Sequence, residues 1–239
     1  MFNTILFDLD GTLLPLDMEK FIKIYFEEMG RKFYDLIEPK QLVSHIWAAT
    51  EVMVGNTEPR LNEEVFMEKF AELIDGDLAV YQKRFDEYYD EGFLNVRNAV
   101  KESVFIQRSV KELKNKGYQL VIATNPLFPQ KAIFHRIEWA GFKPEDFSYI
   151  TSYEQNKYCK PQLQFYEEVL TEIGKEPAEC LMVGNDVQED LIAAKLGIET
   201  FLITDCLIHR SKEPIKATYQ GNYQEFWQFV EKLPVLALK

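Results

Sequence analysis

The feature of the sequence that most constrains its fold is an alternation of short apolar runs with longer amphipathic segments from about residue 99 onward. Alternating strands and helices are typical of βαβ units. Four amphipathic segments end directly before a glycine, which adopts the left-handed conformation found after many helices without steric cost. These glycines are Gly117, Gly141, Gly174 and Gly197. The sequence therefore predicts an α/β fold with a doubly wound, Rossmann-like parallel sheet.

The apolar runs are short, as expected for strands buried within a parallel sheet. The predicted strands are 3–9, 118–124, 149–151, 180–183 and 198–203. The predicted helices around them are 99–116, 129–140, one opened by Pro161 and closed by Gly174, 187–196, and a C-terminal amphipathic helix at 223–233. Ligands of such sheets bind beyond the carboxyl ends of the strands, so we expect functional side chains there.

The segment between the first two core strands departs from this alternation. Residues 17–94 contain no strong buried strand and are predicted to form helices at 18–37, 40–54, 62–74 and 78–89. We therefore predict two parts. Residues 1–16 and 96–239 form a discontinuous α/β core, and residues 17–95 form an all-helical cap inserted after the first strand.

Charge and cysteine content restrict the partners and the compartment. The chain has 27 Lys and Arg against 39 Asp and Glu, a net charge of −12, which disfavours nucleic-acid binding and a polybasic membrane anchor. The sequence contains no run of 18 apolar residues, so no membrane span is predicted. Three cysteines without metal-ligand spacing, and no signal-peptide pattern, favour a reducing compartment and predict a cytoplasmic protein.

The strongest local signal is the run DLDGT, which places Asp8 and Asp10 at the end of the first strand, followed by Gly11 and Thr12. Carboxylates two residues apart on extended backbone point to the same side. One can then act as a nucleophile and the other as a general acid and base. An ordinary Asp-Gly turn would explain Asp10 and Gly11, but not an aspartate that closes an apolar strand.

This run resembles the first motif of the haloacid dehalogenase-like hydrolase superfamily, and three later elements fit the same pattern in order. Thr124, followed by Asn125, ends the next core strand, and Lys160 precedes a helix. Asp186 and Asp190 follow a later strand. Each has a structural alternative, since Thr is common at strand ends, Lys-Pro often opens a helix, and Asp186 could cap one.

The resemblance implies Mg²⁺ as cofactor, held by Asp8, the backbone carbonyl of Asp10, and Asp186, with Asp190 behind it or sharing the ion. Many members carry Asp directly after the glycine of the last motif, where this chain has Asn185, so the choice between Asp186 and Asp190 stays open. Mg²⁺ prefers oxygen ligands and keeps several waters.

The resemblance also implies roles in the chemistry. Asp8 would form an aspartyl-phosphate, and Asp10 would protonate the leaving oxygen and then deprotonate water. Lys160 and Thr124 would offset the phosphoryl charge. Phosphate contacts are expected from Gly11, Thr12 and Asn125.

The function that this pattern predicts is a phosphatase of a small phosphorylated metabolite, with a helical type-1 cap. Dehalogenation is disfavoured because dehalogenases of the superfamily lack the second aspartate. A phosphomutase would use the same residues, and a catalytically silent phosphate-binding protein would not need both carboxylates. We expect a monomer or weak homodimer.

Overall fold

The computed structural model describes residues 2–236 and centres on six parallel strands in the order β3-β2-β1-β4-β5-β6. The central strands carry apolar residues on both faces, and all four residues of β1 are buried. The strands are β1 Thr4–Phe7, β2 Gln119–Ile122, β3 Tyr149–Ile150, β4 Cys180–Gly184, β5 Glu199–Ile203 and β6 Tyr219–Gly221.

Eight α-helices and four 3₁₀ segments accompany the sheet in the described part of the chain. The helices are α1 Met18–Phe33, α2 Pro39–Gly55, α3 Asn62–Leu73, α4 Leu78–Asp90, α5 Val104–Asn115, α6 Gln130–Trp139, α7 Leu163–Ile173 and α8 Tyr223–Lys232. The 3₁₀ segments are Gly92–Ala99, Pro144–Asp146, Pro177–Glu179 and Leu191–Leu196. No helix among residues 2–236 is long and apolar enough to cross a membrane.

Strand register brings the functional loops to one edge of the sheet. β1 lies between β2 and β4, with Phe7 opposite Ile122 on one side and Val183 on the other. Because all three strands run in parallel, their carboxyl ends meet. The residues after β1, β2 and β4 therefore lie close together.

Helices α1–α4 lie between β1 and β2 in the chain and pack around aromatic side chains. The Phe33 and Phe85 rings have centroids 4.7 Å apart, and Phe70 lies 5.4 Å from Phe85. The hydroxyl of Tyr88 donates to the carbonyl of Tyr25 across 2.9 Å. Helical patterning predicts this segment well, whereas its division from the core at residues 16 and 96 stays a prediction.

The predicted fold class is confirmed, and the glycines that close the four segments all have positive φ, from +63° to +94°. Three boundaries were wrong. The helix predicted at 187–196 is only the 3₁₀ segment Leu191–Leu196, because residues 186–190 form a turn tied by the side chain of Asp186. Pro161 lies in a turn before α7, where Gln162 N donates to Cys159 O. The helix predicted from residue 99 begins at Val104.

Two further elements differ from the sequence prediction. The first cap helix ends at Phe33 rather than 37. Strand β6 was not predicted, because its three residues include two exposed ones and carry no apolar run. The amphipathic C-terminal helix is confirmed as α8.

Candidate active site

The loop after β1 is a tight turn that places two carboxylates at the sheet edge. Leu14 N donates to Leu9 O across 2.8 Å and Gly11 N to Leu14 O across 2.8 Å. Gly11 has φ +88°, and a Cβ there would lie 2.4 Å from the Asn185 side chain. Only glycine therefore fits where this loop meets the loop after β4.

Lys160 lies between two of the predicted acidic residues. Its side chain is 0% exposed, and its ammonium donates to Asp8 Oδ1 at 3.1 Å and to Asp190 Oδ1 at 2.6 Å. The other oxygen of Asp190 accepts from the backbone amide of Asp186 at 2.9 Å. A Cβ on Gly184 would lie 2.1 Å from Asp190, so the glycine makes room for this carboxylate.

Burial dominates the electrostatics of the two loop carboxylates. It raises the pKa of Asp8 to about 8, with Lys160 opposing the rise and Asp190 and Asp10 adding to it. Burial also raises the pKa of Asp10, against the lowering effect of Arg136. For Lys160, burial acts to lower the pKa, but the charges of Asp190 and Asp8 outweigh it and hold the pKa well above its usual range.

Arg136 is a site residue that sequence reasoning missed. It lies on α6 with its side chain 1% exposed, and its Nη1 donates to Asp10 Oδ2. Its Nε donates to Ala132 O at 3.1 Å, and its guanidinium lies 4.4 Å from the centre of the Phe128 ring. The available signal was a charged residue on the buried stripe of a helix, one turn from Ile133. Such a residue is rarely buried without a partner.

Asp186 follows β4, and its carboxylate contacts both backbone amides and a cationic side chain. Its Oδ1 accepts from the amides of Gln188 and Glu189 at 2.9 and 3.0 Å, so the capping alternative holds in part. Arg210, which sequence reasoning also missed, lies 2.7 Å from its other oxygen. A reciprocal capping box with Glu189 is not formed, because the Glu189 carboxylate instead accepts from Asn125 Nδ2 at 3.0 Å.

The remaining predicted residues divide between the site and its support. Thr124 and Asn125 line the cavity described below, and Asn125 Oδ1 accepts from the amide of Lys160 at 3.1 Å. Thr12 is fully buried and donates to Asn185 Oδ1 at 2.9 Å. Thr12 and Gly11 do not line the cavity among the described residues; they hold the two loops together.

A single cavity of ≈380 Å³ opens above these residues. Asp8, Asp10 and Asp186 lie at its floor, and helices α1–α4 form much of its wall. This volume is in the range of small-molecule sites. The position beyond the carboxyl ends of the strands is the one that ligands take in doubly wound sheets.

The acidic residues provide hard oxygen donors of the type that Mg²⁺ prefers. Between residues 2 and 236, no three His, Cys, Asp or Glu side chains form a cluster that could hold a metal ion. The carboxylates instead face cationic side chains, as Asp186 does with Arg210. Magnesium sites commonly need only one or two carboxylates beside waters, and Asp8 binds Lys160 through Oδ1 alone. The donor chemistry therefore fits this ion.

Comparison with known proteins identifies the family. The model of the haloacid dehalogenase-like hydrolases matches residues 2–197, and the chain belongs to this family. Pyrophosphatase PpaX of Bacillus cereus (strain AH820) is 23% identical over 202 residues, which cover 84% of this chain and 83% of that protein. The predictions of the family and of a hydrolase are thus confirmed.

Solved structures share the fold at low identity. A HAD phosphatase from Thermococcus onnurineus has a TM-score of 0.60 at 16% identity, covering 98% of this chain and 100% of that one. The L-2-haloacid dehalogenase of Xanthobacter autotrophicus has a TM-score of 0.57 at 14% identity, with coverages of 98% and 100%. Because both chemistries occur on this fold, the reaction must be argued from the site.

Proposed function

We propose that the protein is a Mg²⁺-dependent phosphatase of small phosphorylated molecules that works through an aspartyl-phosphate on Asp8. The observation that carries the proposal is the pair of carboxylates, Asp8 and Asp10, at the floor of one cavity, each paired with its own buried cation. A nucleophile and a separate acid and base are what phosphoryl transfer through a covalent intermediate requires.

In the first step, a carboxylate oxygen of Asp8 forms a bond to phosphorus as the bond to the ester oxygen breaks. Asp10 gives its proton to that leaving oxygen. In the second step, Asp10 takes a proton from water, whose oxygen attacks phosphorus and releases Asp8 and inorganic phosphate. The raised pKa of Asp10 supports its acid role, because burial favours the protonated form. Asp8 must be ionised to attack; Lys160 acts to lower its pKa against burial, and bound Mg²⁺ would act in the same direction.

The neighbouring residues position these groups. The proposal assigns to Lys160 the orientation of Asp8 and part of the phosphoryl charge, and to Thr124 and Asn125 contacts with phosphoryl oxygens. Asp190 holds Lys160 and the turn at Asp186, which favours Asp186 as the direct metal ligand.

Mg²⁺ would be held by Asp8, the backbone carbonyl of Asp10, and Asp186, and would offset the charge of the phosphate. Arg210 would have to share Asp186 with the ion, since it now contacts both carboxylate oxygens.

The names of several relatives support a phosphatase over a dehalogenase. Besides PpaX, the glyceraldehyde 3-phosphate phosphatase of Methanothermobacter thermautotrophicus is 24% identical over 106 residues, 44% of this chain and 46% of that protein.

We further propose that residues 17–95 act as a cap over the core, and that the protein is cytoplasmic and a monomer or weak homodimer. The hinges of a moving cap would lie near residues 14–17 and 92–96. If limited proteolysis finds both segments as resistant as the sheet, with and without ligand, the cap does not move.

The test is release of inorganic phosphate from a panel of phosphate esters, with Mg²⁺ and with EDTA. We expect Mg²⁺-dependent turnover in the wild type, its loss in Asp8→Asn, and its retention in Asp35→Asn, a surface control paired with Arg84. Intact mass after rapid quenching should show one phosphoryl group on the wild type. Undiminished turnover in Asp8→Asn, or no turnover on any ester, would refute the proposal. Transfer of phosphate to the substrate without release would indicate a mutase.

A further inference from the structure

The cavity above Asp8 and Asp10 is charged at one end only. Its floor carries the acidic residues, and it extends without interruption to helices α1–α4. We propose that the substrate is the phosphate monoester of an apolar alcohol, with an alkyl or aryl group held against these helices. This inference rests on the phosphatase function proposed above and names the class of its substrate.

The wall formed by α1–α4 contains no Asp, Glu, Lys or Arg among the described lining residues. Its side chains are mainly aromatic and aliphatic, and Phe21, Phe26, Trp47 and Phe66 are among them. Leu127 continues this apolar surface from the loop after β2. The wall can therefore bury an apolar group by removing it from water.

Polar groups on this wall are few. The hydroxyls of Tyr25 and Tyr89 lie 3.0 Å apart and bond each other. Thr50 is the other hydroxyl that the described residues of α1–α4 contribute. A sugar placed here would leave several hydroxyls without partners, which disfavours its binding.

The cavity also lacks a cation for a second anionic group. Arg210 is the one cationic residue among those described that line it, and it already contacts Asp186 at 2.7 Å and Glu189 at 3.4 Å. A second phosphate or a carboxylate would lie against the aromatic wall with no partner for its charge. Bisphosphates, pyrophosphate and carboxylated esters are therefore poor fits.

The mouth of the cavity is apolar as well. Met18, Ile22 and Trp47 line the cavity, yet they are 38%, 39% and 52% exposed. Large apolar side chains that are both exposed and continuous with a cavity are typical of ligand-binding surfaces. They give an apolar chain a path from solvent to the buried wall.

The volume of the cavity limits the size of the apolar group of the substrate. At ≈380 Å³ the cavity has about two and a half times the ~150 Å³ that accommodates one benzene molecule. That corresponds to about fifteen nonhydrogen atoms, of which phosphate takes five, leaving about ten for the alcohol.

The experiment measures kcat/KM for ethyl, butyl, hexyl and octyl phosphate with Mg²⁺, beside glucose 6-phosphate and pyrophosphate. Because each buried CH₂ contributes about fourfold to kcat/KM, we expect a rise of about fifteenfold for every two added carbons. Glucose 6-phosphate and pyrophosphate should lie at least a hundredfold below octyl phosphate. Turnover that is flat or falls with chain length would overturn the inference and leave the phosphatase standing.

Trp47→Ala tests the wall itself. It should lower kcat/KM at least fivefold more for octyl phosphate than for ethyl phosphate, whereas Tyr34→Ala, which removes a ring that is 78% exposed outside the cavity, should change neither. Equal effects on both esters would contradict the assignment.

A binding measurement separates this inference from the catalytic proposal. In calorimetry with the Asp8→Asn protein and Mg²⁺, octyl phosphate should bind at least a hundredfold more tightly than ethyl phosphate. Equal affinities would overturn the apolar subsite whatever the activity assays show. If no ester is hydrolysed, the phosphatase proposal fails.

Discussion

Replacing Asp8 with asparagine should stabilise the metal-free protein, and increasingly so as the pH rises. Asp8 is 13% exposed, and burial, with help from Asp190 and Asp10 and against Lys160, raises its pKa to about 8. In the unfolded chain its pKa is about 3.9. Between these two values the folded protein holds a proton that the unfolded chain releases.

The sign and size follow from proton linkage. Since the unfolded state binds fewer protons in this window, the free energy of unfolding falls as pH rises through it. One proton corresponds to about 1.4 kcal/mol per pH unit, so Asp8 costs the wild type about 3 kcal/mol between pH 5 and pH 7. Asparagine does not titrate and removes this loss. The stability advantage of Asp8→Asn should therefore grow by about 3 kcal/mol over these two pH units.

The assay is urea unfolding in EDTA at pH 5, 6 and 7, with the m-value checked for constancy. Asp35→Asn is the control, because its hydrogen bond from Arg84 lowers the pKa of Asp35 and keeps that carboxyl ionised throughout this range. Its difference from the wild type should stay constant with pH. A difference for Asp8→Asn that is also constant, or that shrinks as pH rises, would refute the reasoning.

Three further substitutions or modifications test the packing around the site. Lys160→Met should lower the free energy of unfolding by about 3–5 kcal/mol, because it leaves the buried carboxyl groups of Asp8 and Asp190 without their cation. A loss below 1 kcal/mol in urea unfolding would contradict the buried pairing. Gly184→Ala should lower the free energy of unfolding by about 1–3 kcal/mol, because the added methyl group would overlap Asp190. The control Gly55→Ala, where a Cβ has nothing within 4 Å, should not destabilise the protein. Equal changes in melting temperature for the two variants would argue against the contact between Gly184 and Asp190. A thiol reagent should modify at most Cys206 in the native protein and all three cysteines in urea. Cys159 and Cys180 are buried, and burial raises the pKa of each thiol to about 12. Fast labelling of more than one cysteine in the native protein would contradict this prediction.

Sequence reasoning was strongest where the physics is local. The apolar run before Asp8 predicts β1, and the glycines after the core helices predict their ends, because each signal depends on neighbouring residues. Placement at carboxyl ends of parallel strands then brings Asp8, Thr124 and Asp186 together without knowledge of side-chain contacts. The hydrolase family followed from the same residues.

The contacts that sequence reasoning missed depend on distant residues. Arg136 meets Asp10 across 126 positions, and Arg210 meets Asp186 across 24. No spacing rule joins such pairs, since their meeting depends on how helices and loops pack on the sheet. Strand β6 was missed for a similar reason, because its register is set by pairing with β5 rather than by an apolar run of its own.

The place of β1 in the sheet has a consequence for synthesis on the ribosome. β1 pairs on one side with β2 and on the other with β4, whose first residue, Cys180, lies far along the chain. At about 5–20 residues per second, the apolar segment Thr4–Phe7 waits roughly 9–35 s for its second neighbour to be made. Helices α1–α4, which follow one another directly, can pair meanwhile. β1, the strand that leads into the loop of Asp8 and Asp10, is thus the strand that waits longest for its neighbours, and until then it is open to chaperones and to aggregation.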